Sequence, residues 1–333
     1  EKIMKPKVSI VIPVHNAGKD FHVCLNSLIN QTLREIEILC VLDVPTDGSD
    51  RIAEEYARKD SRIRIIRNEK NLHIGFSRNA WIDNATGEYI GFSDDDDFCD
   101  PQMFETLYQK AVTNLADIVV SNYINEHAGI IDTYCFPNEL SEDAFKQKFF
   151  EALILGNHSQ PNTTSFDNVN PVWNQIFRLD FLNSNRVRFP DNRIMSMEDV
   201  IFNLQAHFHA LKVSFVPEIF YHHRMNEKNA FKNYEYLSPD KVIPHLNFVY
   251  DFLNKYKITA NYQNLFAICT LRRLYTSLRN EITFRKTVIP VAFIQRIRKN
   301  SDIQQMISPL FGKDKLVKKL PLTKRIFAYL IRK

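Results

Sequence analysis

From residue 7 to about residue 125 the hydrophobic positions switch regularly between two spacings. Residues 7–14 (KVSIVIPV) form a β-branched run that closes just after Pro13, the pattern of a strand buried on both faces. Residues 19–31 carry Phe21, Leu25 and Leu28 at helical spacing. Residues 36–42 form a second strand run, followed by Asp43. Turn and cap residues Thr46-Asp47-Gly48-Ser49-Asp50 then lead into a helix over 50–60. Residues 62–67, 74–84 and 89–92 read as strand, helix and strand, with Gly87 as punctuation before the last. This alternation predicts an α/β domain on an open, mostly parallel central sheet, with a ligand crevice outside the strands' carboxyl ends.

Beyond Tyr123 the pattern loosens. A Ser-Glu-Asp cap opens a helix over 141–155, and residues 213–220 read as another strand. The polar, proline-containing stretch 156–170 fits a mobile acceptor loop or an ordinary variable connection. From about residue 237 the strand alternation stops, and helices are expected over 240–256, 261–281 and 290–299. A chain of 333 residues divides naturally in two, here an α/β domain over 1–230 and a helical C-terminal module over 231–333. The tail, 313–333, interleaves eight Lys and Arg with apolar residues against one acid, Asp314, and Pro321 splits it. Such a segment lies on an anionic membrane surface, or packs on its own domain with its lysines in solvent.

The formal charge is +4, but acid clusters in the first half and base at the C-terminal end. Five scattered cysteines with no CxxC spacing fit a reducing cytosol better than a disulfide framework. No signal-peptide h-region opens the chain and no apolar run reaches about 18 residues, which implies a cytoplasmic protein, peripheral at the membrane. Neither GxGxxG nor GxxxxGK[ST] occurs, so phosphate must be handled by a metal and basic side chains.

Asp94, Asp95, Asp96 and Asp97 follow the strand at 89–92 without a break. In extended backbone Asp94 and Asp96 would point one way and Asp95 and Asp97 the other. Four adjacent carboxylates repel unless a cation sits among them, and Mn²⁺ or Mg²⁺ completed by phosphate oxygens is the natural candidate. A solvated acidic turn is the alternative. An acidic face of this kind also argues against nucleic acid as a partner.

The run VSIVIPVHN, the turn beginning at Asp43, the segment Ser77-Arg78-Asn79 and ATGEYIGFSDDDDF together resemble family 2 glycosyltransferases of the GT-A fold. The likeness is dense over 7–125 and continues as isolated motifs to about 225, namely PVWNQIFR, MEDVIF and YHHR. It implies a nucleotide-sugar donor, of UDP type, bound over 7–125, and an acceptor side over 126–230. Donor contacts fall on Pro13, His15, Asp43, Arg78, Asp94, Asp95 and Arg224. The resemblance assigns the metal to Asp94 and Asp96, with His223 as a further ligand. Trp173, Asn174, Glu198 and Asp97 fall on the acceptor side, and Asp199 becomes the general base of an inverting displacement.

The chain departs from the pattern at His15, where Tyr is common, at Leu42, where a second acid is common, and at Trp81 and Gln175, which replace a Gly and a basic residue. Several of these residues also have plain structural readings. His15 would hydrogen-bond a loop, Asp43 would cap its turn, Arg78 would form a surface ion pair, and Trp173 would be core. The expected activity is transfer of a sugar, hexosyl or N-acetylhexosaminyl, to a glycan or lipid-linked glycan. A metal-dependent nucleotidyltransferase and a non-catalytic, membrane-docked nucleotide-sugar-binding protein are the alternatives.

Overall fold

The computed structural model describes residues 5–155, 163–164, 166, 169–225, 237–285, 291–312 and 316–332. They group into two units. The first comprises Glu1–Phe150, Asn157–Asp191 and Glu198–Asn226, the second Glu151–Gly156, Asn192–Met197 and Glu227–Lys333. Most of the stretch 156–170, read as an acceptor loop or a connection, lies outside the described residues.

In chain order the first unit contains β1 (Val8–Val14), α1 (Asp20–Ile29), β2 (Ile36–Leu42), α2 (Ser49–Lys59), β3 (Ile63–Arg67), α3 (His73–Ile82), β4 (Tyr89–Phe92), β5 (Phe98–Cys99) and α4 (Met103–Asn114). It continues with β6 (Ile118–His127), β7 (Ile130–Cys135), α5 (Glu142–Leu155), β8 (Thr163–Thr164), β9 (Gln175–Arg178), α6 (Leu179–Ser184), α7 (Glu198–His209) and β10 (Val213–Arg224). One sheet runs β3-β2-β1-β4-β9-β6-β10-β5, with β7 beside β6 and β8 beside β7. The first four strands pair in parallel, as the alternation predicts. β9 then enters antiparallel between β4 and β6, and β10 runs parallel to β6.

β1 is buried at every position because strands flank it on both sides and α-helices cover its faces. It tolerates Pro13 for a specific reason. The Val11 carbonyl faces β4 and accepts from Ser93, whereas the Val14 carbonyl faces β2 and accepts from Asp43. By alternation the missing Pro13 N–H faces the β4 side, where the β1–β4 pairing has already ended at Val11 and Phe92. The two strands diverge there and the crevice opens. At Gly91 a Cβ would stand 2.7 Å from Phe104 Cε1, so glycine lets α4 pack closely on β4 just before the acid run.

The second unit is helical: α8 (Pro239–Lys255), α9 (Thr259–Arg285), α10 (Val291–Lys299), α11 (Ser301–Ile307) and α12 (Leu322–Ile331), with 3-10 turns at Ser308–Phe311 and Leu316–Lys319. Pro239 starts α8 at its first turn, where no N–H is needed. Leu246, Leu271, Leu274, Ile297, Ile303 and Leu310 form its dry interior. In the tail, residues 313–315 and 333 lie outside the described residues. The rest folds onto this unit, with Phe327, Ala328 and Ile331 buried and Phe327 packed 5.6 Å from the Tyr275 ring.

Candidate active site

His15, Asp43 and Asp94 each sit just past the carboxyl end of β1, β2 or β4, so the parallel sheet delivers them to one edge. His15 is fixed from two sides. Its backbone N–H donates to Asp95 Oδ2 at 3.0 Å, and its ring Nδ1–H donates to the Asp43 carbonyl at 2.7 Å. This sets the tautomer and leaves an exposed imidazole with its Nε2 lone pair free to accept. Asp43 is 4% exposed. Its Oδ1 accepts from Asn68 Nδ2 (2.7 Å) and the Leu72 amide (2.8 Å), its Oδ2 from the His73 amide (2.9 Å). Three of roughly four acceptor positions are used in shaping the loop before α3, and one on Oδ2 remains. Asn16, Val44 and His73, all beside this loop, hold positive φ of 58°, 53° and 62°. Such geometry costs about 1–3 kcal/mol per residue, and the Asp43 hydrogen bonds help to impose it.

The acid run is not extended. Asp95 and Asp96 form a turn, with the Asp97 amide 3.4 Å from the Asp94 carbonyl, so a turn rather than strand alternation decides where the carboxylates point. Asp97 is fully buried and accepts from the Tyr221 hydroxyl (2.9 Å) and the Arg224 amide (2.7 Å). Expected on the acceptor side, Asp97 is placed by these bonds where it ties β10 to the turn. Trp173 and Asn174, also expected on the acceptor side, lie within the packed sheet. Trp173 is 5% exposed and stacks on Tyr221 at 4.2 Å, while Asn174 is buried and donates to the Ser121 carbonyl at 2.6 Å. Both brace the sheet where β9 enters and offer no free face to a sugar.

Arg78 organises the site. The sequence pattern allows a surface ion pair, yet the side chain is 1% exposed, and its guanidinium lies 5.2 Å from the Phe189 ring and 5.9 Å from the Phe92 ring. One nitrogen donates to Asp94 Oδ1 at 2.9 Å and the other to Asp199 Oδ1. Burial pulls the Arg78 pKa down, but Asp199, Asp94 and Glu198 more than offset it, so the cation is firmly held. Asp199 stands in the first turn of α7, preceded by the buried Glu198. Burial drives its pKa upward; Arg78 pulls it back while Glu198 and Asp94 add to the rise, leaving it at about 7. Its side chain keeps 24% exposure, so an acceptor can reach it.

Of the expected metal ligands, Asp94 and Asp96 belong to the acid run, and His223 on β10 is near enough to Asp94 to feel its charge. The Asp94 side chain is 26% exposed. Asp95 and Asp97 are pushed well above the usual carboxylate range, first by burial and then by neighbouring aspartates, which marks a local excess of negative charge. His223 gives Nδ1–H to Asn125 Oδ1 at 3.0 Å, which leaves Nε2 as its acceptor nitrogen. Burial lowers its pKa, against the opposing pull of Asp94, so the ring is neutral. Among the described residues no group of three or more His, Cys, Asp or Glu is placed to hold a metal ion by itself. The carboxylates of the turn are hard oxygen donors, the type of ligand that Mg²⁺ or Mn²⁺ takes together with phosphate oxygens. His222 does not contribute, because Glu126 and Asp100 engage its two nitrogens at 2.9 and 3.2 Å.

Arg224 reaches this edge from the end of β10. It donates to Asp20 Oδ1 (2.8 Å) and the Asp96 carbonyl (3.2 Å) and keeps 34% exposure, at the wall of a groove of about 360 Å³. Sequence reasoning missed two contributors. The Tyr221 hydroxyl accepts from the Asp94 amide (3.0 Å) while donating to Asp97; its signal was its place two residues before His223. Phe189, beneath Arg78, gave no sequence signal.

Residues 9–133 match the family described as glycosyl transferase family 2. The uncharacterized glycosyltransferase EpsJ of Bacillus subtilis is 35% identical over 224 residues, 67% of this chain and 62% of EpsJ. The chain spans 60–64% of the length of three such curated relatives, EpsJ among them. Among solved structures, Staphylococcus aureus TarS 1–349 in complex with UDP-GlcNAc superposes with a TM-score of 0.67 at 20% identity, covering 97% of this chain and 89% of that one. The mannosyltransferase PcManGT of Pyrobaculum calidifontis, with GDP-Man and Mn²⁺, gives 0.53 at 10% identity, covering 98% and 86%. These likenesses identify the fold as GT-A with C-terminal helices. By the matched segment and the relatives it resembles, this chain belongs to glycosyl transferase family 2.

Proposed function

We propose that the chain transfers a sugar from a nucleoside diphosphate donor, UDP-linked, to a hydroxyl of a glycan or lipid-linked glycan, with inversion at the anomeric carbon. The observation that carries this reading is the buried Arg78, which holds the candidate base Asp199 and the acid-run carboxylate Asp94 on one guanidinium. A sugar hydroxyl is a poor nucleophile, so a positioned base must take its proton as the new bond forms. Asp199, at about 7, is close to the value at which a base is both ionised and avid near neutral pH. As the acceptor oxygen bonds to the anomeric carbon, the bond from that carbon to the phosphate oxygen breaks; Asp199 keeps the proton and the nucleoside diphosphate departs. Single displacement of this kind needs no covalent sugar–enzyme intermediate.

Asp94 and Asp96, with His223, would hold the divalent cation, which supplies charge stabilisation to the departing diphosphate. Arg224, at the end of β10 and bonded to the Asp96 carbonyl, would add N–H donors for phosphate oxygens. The imidazole of His15, held by Asp43, presents a flat face for the base. The UDP-GlcNAc bound by TarS and the Mn²⁺ bound by PcManGT support a UDP-type donor and a divalent cation. A panel of nucleotide sugars with Mn²⁺ or Mg²⁺, read as released nucleoside diphosphate, tests the proposal. Turnover of one UDP-sugar supports it; pyrophosphate released from a nucleoside triphosphate, with no turnover of any nucleotide sugar, overturns it.

A further inference from the structure

Helix α12 is apolar on two opposite faces. Phe327, Ala328 and Ile331 point into the helical unit. Leu322, Ile326, Tyr329 and Leu330 are spaced to fall on one stripe of the other side and are 66%, 52%, 49% and 49% exposed. A helix lying on a domain surface ordinarily presents polar residues there, so four large apolar side chains in register mark a docking face.

Charge decides what docks. No acidic residue occurs from Leu316 to Arg332. Exposed Lys318 and Lys319 precede the helix and exposed Arg332 follows it. Exposed Arg298 and Lys299 of α10 join this rim, since Arg298 Nε donates to the Arg332 carbonyl at 3.2 Å. A second copy of this chain, meeting the stripe about a two-fold axis, would bring cations against cations. An anionic lipid surface meets both needs, taking the apolar stripe into its acyl boundary and the cations at its headgroups. Tyr329 suits that interface, with an apolar ring and a polar tip. Ten residues of helix extend about 15 Å, too short to span a bilayer, and no helix among the described residues is long and apolar enough to cross one.

We infer that α12 lies in the plane of an anionic membrane, with Leu322, Ile326, Tyr329 and Leu330 inserted and Lys318, Lys319 and Arg332 on the headgroups. This goes beyond the transfer reaction and does not depend on it. The test is flotation of the full chain with vesicles of pure phosphatidylcholine and with vesicles carrying about 30% phosphatidylglycerol. Binding is expected to the anionic vesicles alone and to weaken as salt rises. The triple variant L322E/I326E/L330E is expected to lose it more than tenfold, and K318E/K319E to reduce it severalfold. Because these side chains are exposed, both variants should melt with the unmodified chain, and differential scanning fluorimetry checks this. Failure of the unmodified chain to float with anionic vesicles overturns the inference. So does equal flotation of the triple variant, or sedimentation showing a dimer of the unmodified chain that this variant dissociates. None of these readouts uses turnover, so failure here leaves the proposed reaction untouched.

Discussion

Replacing Arg78 by Gln removes a buried cation that touches both Asp199 and Asp94 while keeping a side chain of similar reach. Two unit charges about 4 Å apart at an effective dielectric of about 20 attract by about 4 kcal/mol, equal to about three pKa units. Asp199 retains 24% exposure, and water screens part of this, so an upward shift of about one to two units is the reasonable expectation. The sign follows from the chemistry. Asp199 acts when ionised, so the rate rises with pH through its pKa, at about 7 in the unmodified chain. In R78Q that limb should move to about 8–9, and at pH 7 the ionised fraction falls from about half to about 1–10%, a 5- to 50-fold loss of kcat. Near pH 10 the two proteins should converge. The assay is kcat against pH by nucleoside diphosphate release, with thermal melting to confirm folding, since an unpaired buried carboxylate costs several kcal/mol. A profile that falls equally at every pH, or a limb that stays at 7, refutes the idea that Arg78 works by tuning Asp199. Lys at this position should rescue poorly, because a point charge cannot serve two carboxylates as a planar fork does.

Mn²⁺ or Mg²⁺ should stabilise the protein in the presence of UDP, by about 2.7 kcal/mol at a hundredfold excess over Kd, and Asp96→Asn should abolish that gain in a thermal melt. Tyr221→Phe leaves the Asp97 carboxylate and the Asp94 amide each short of a partner and should cost about 1–3 kcal/mol in urea unfolding, with a weaker metal response. Val44→Gly relieves a β-branched residue at φ 53°, so it should keep or raise the melting temperature even though glycine has the more entropic unfolded chain; a loss above about 1 kcal/mol would show that Val44 carries no strain.

The strands read most clearly from the sequence are those buried on both faces. β1, β2 and β4 are nearly unbroken apolar runs because strands flank each of them on both sides, and local pattern alone reveals such a strand. β9 was not legible. Gln175–Arg178 is four residues long, and its place between β4 and β6 depends on contacts far away in sequence. The same limit explains why the burial of three expected acceptor-side residues did not show. Asp97, Trp173 and Asn174 carry side chains that could serve a sugar, and what buries them is the arrival of β9 and the end of β10 beside the acid turn. The chemistry of Asp94 and Asp199 showed in the motifs, but their sharing of one guanidinium did not, because Arg78 and Asp199 lie 121 residues apart. The tail's basic, apolar composition was visible too, while the two-faced character of α12 required knowing which side packs.

Asp199→Asn measures the core of the account most directly, through donor affinity by calorimetry and transfer by product formation on the same sample. Asn keeps the size of Asp199 and cannot take a proton. Donor binding is expected to stay within about threefold of the unmodified chain, with transfer reduced by about 10²–10⁴. Transfer within a fewfold of normal, with donor still bound, would contradict Asp199 as the base.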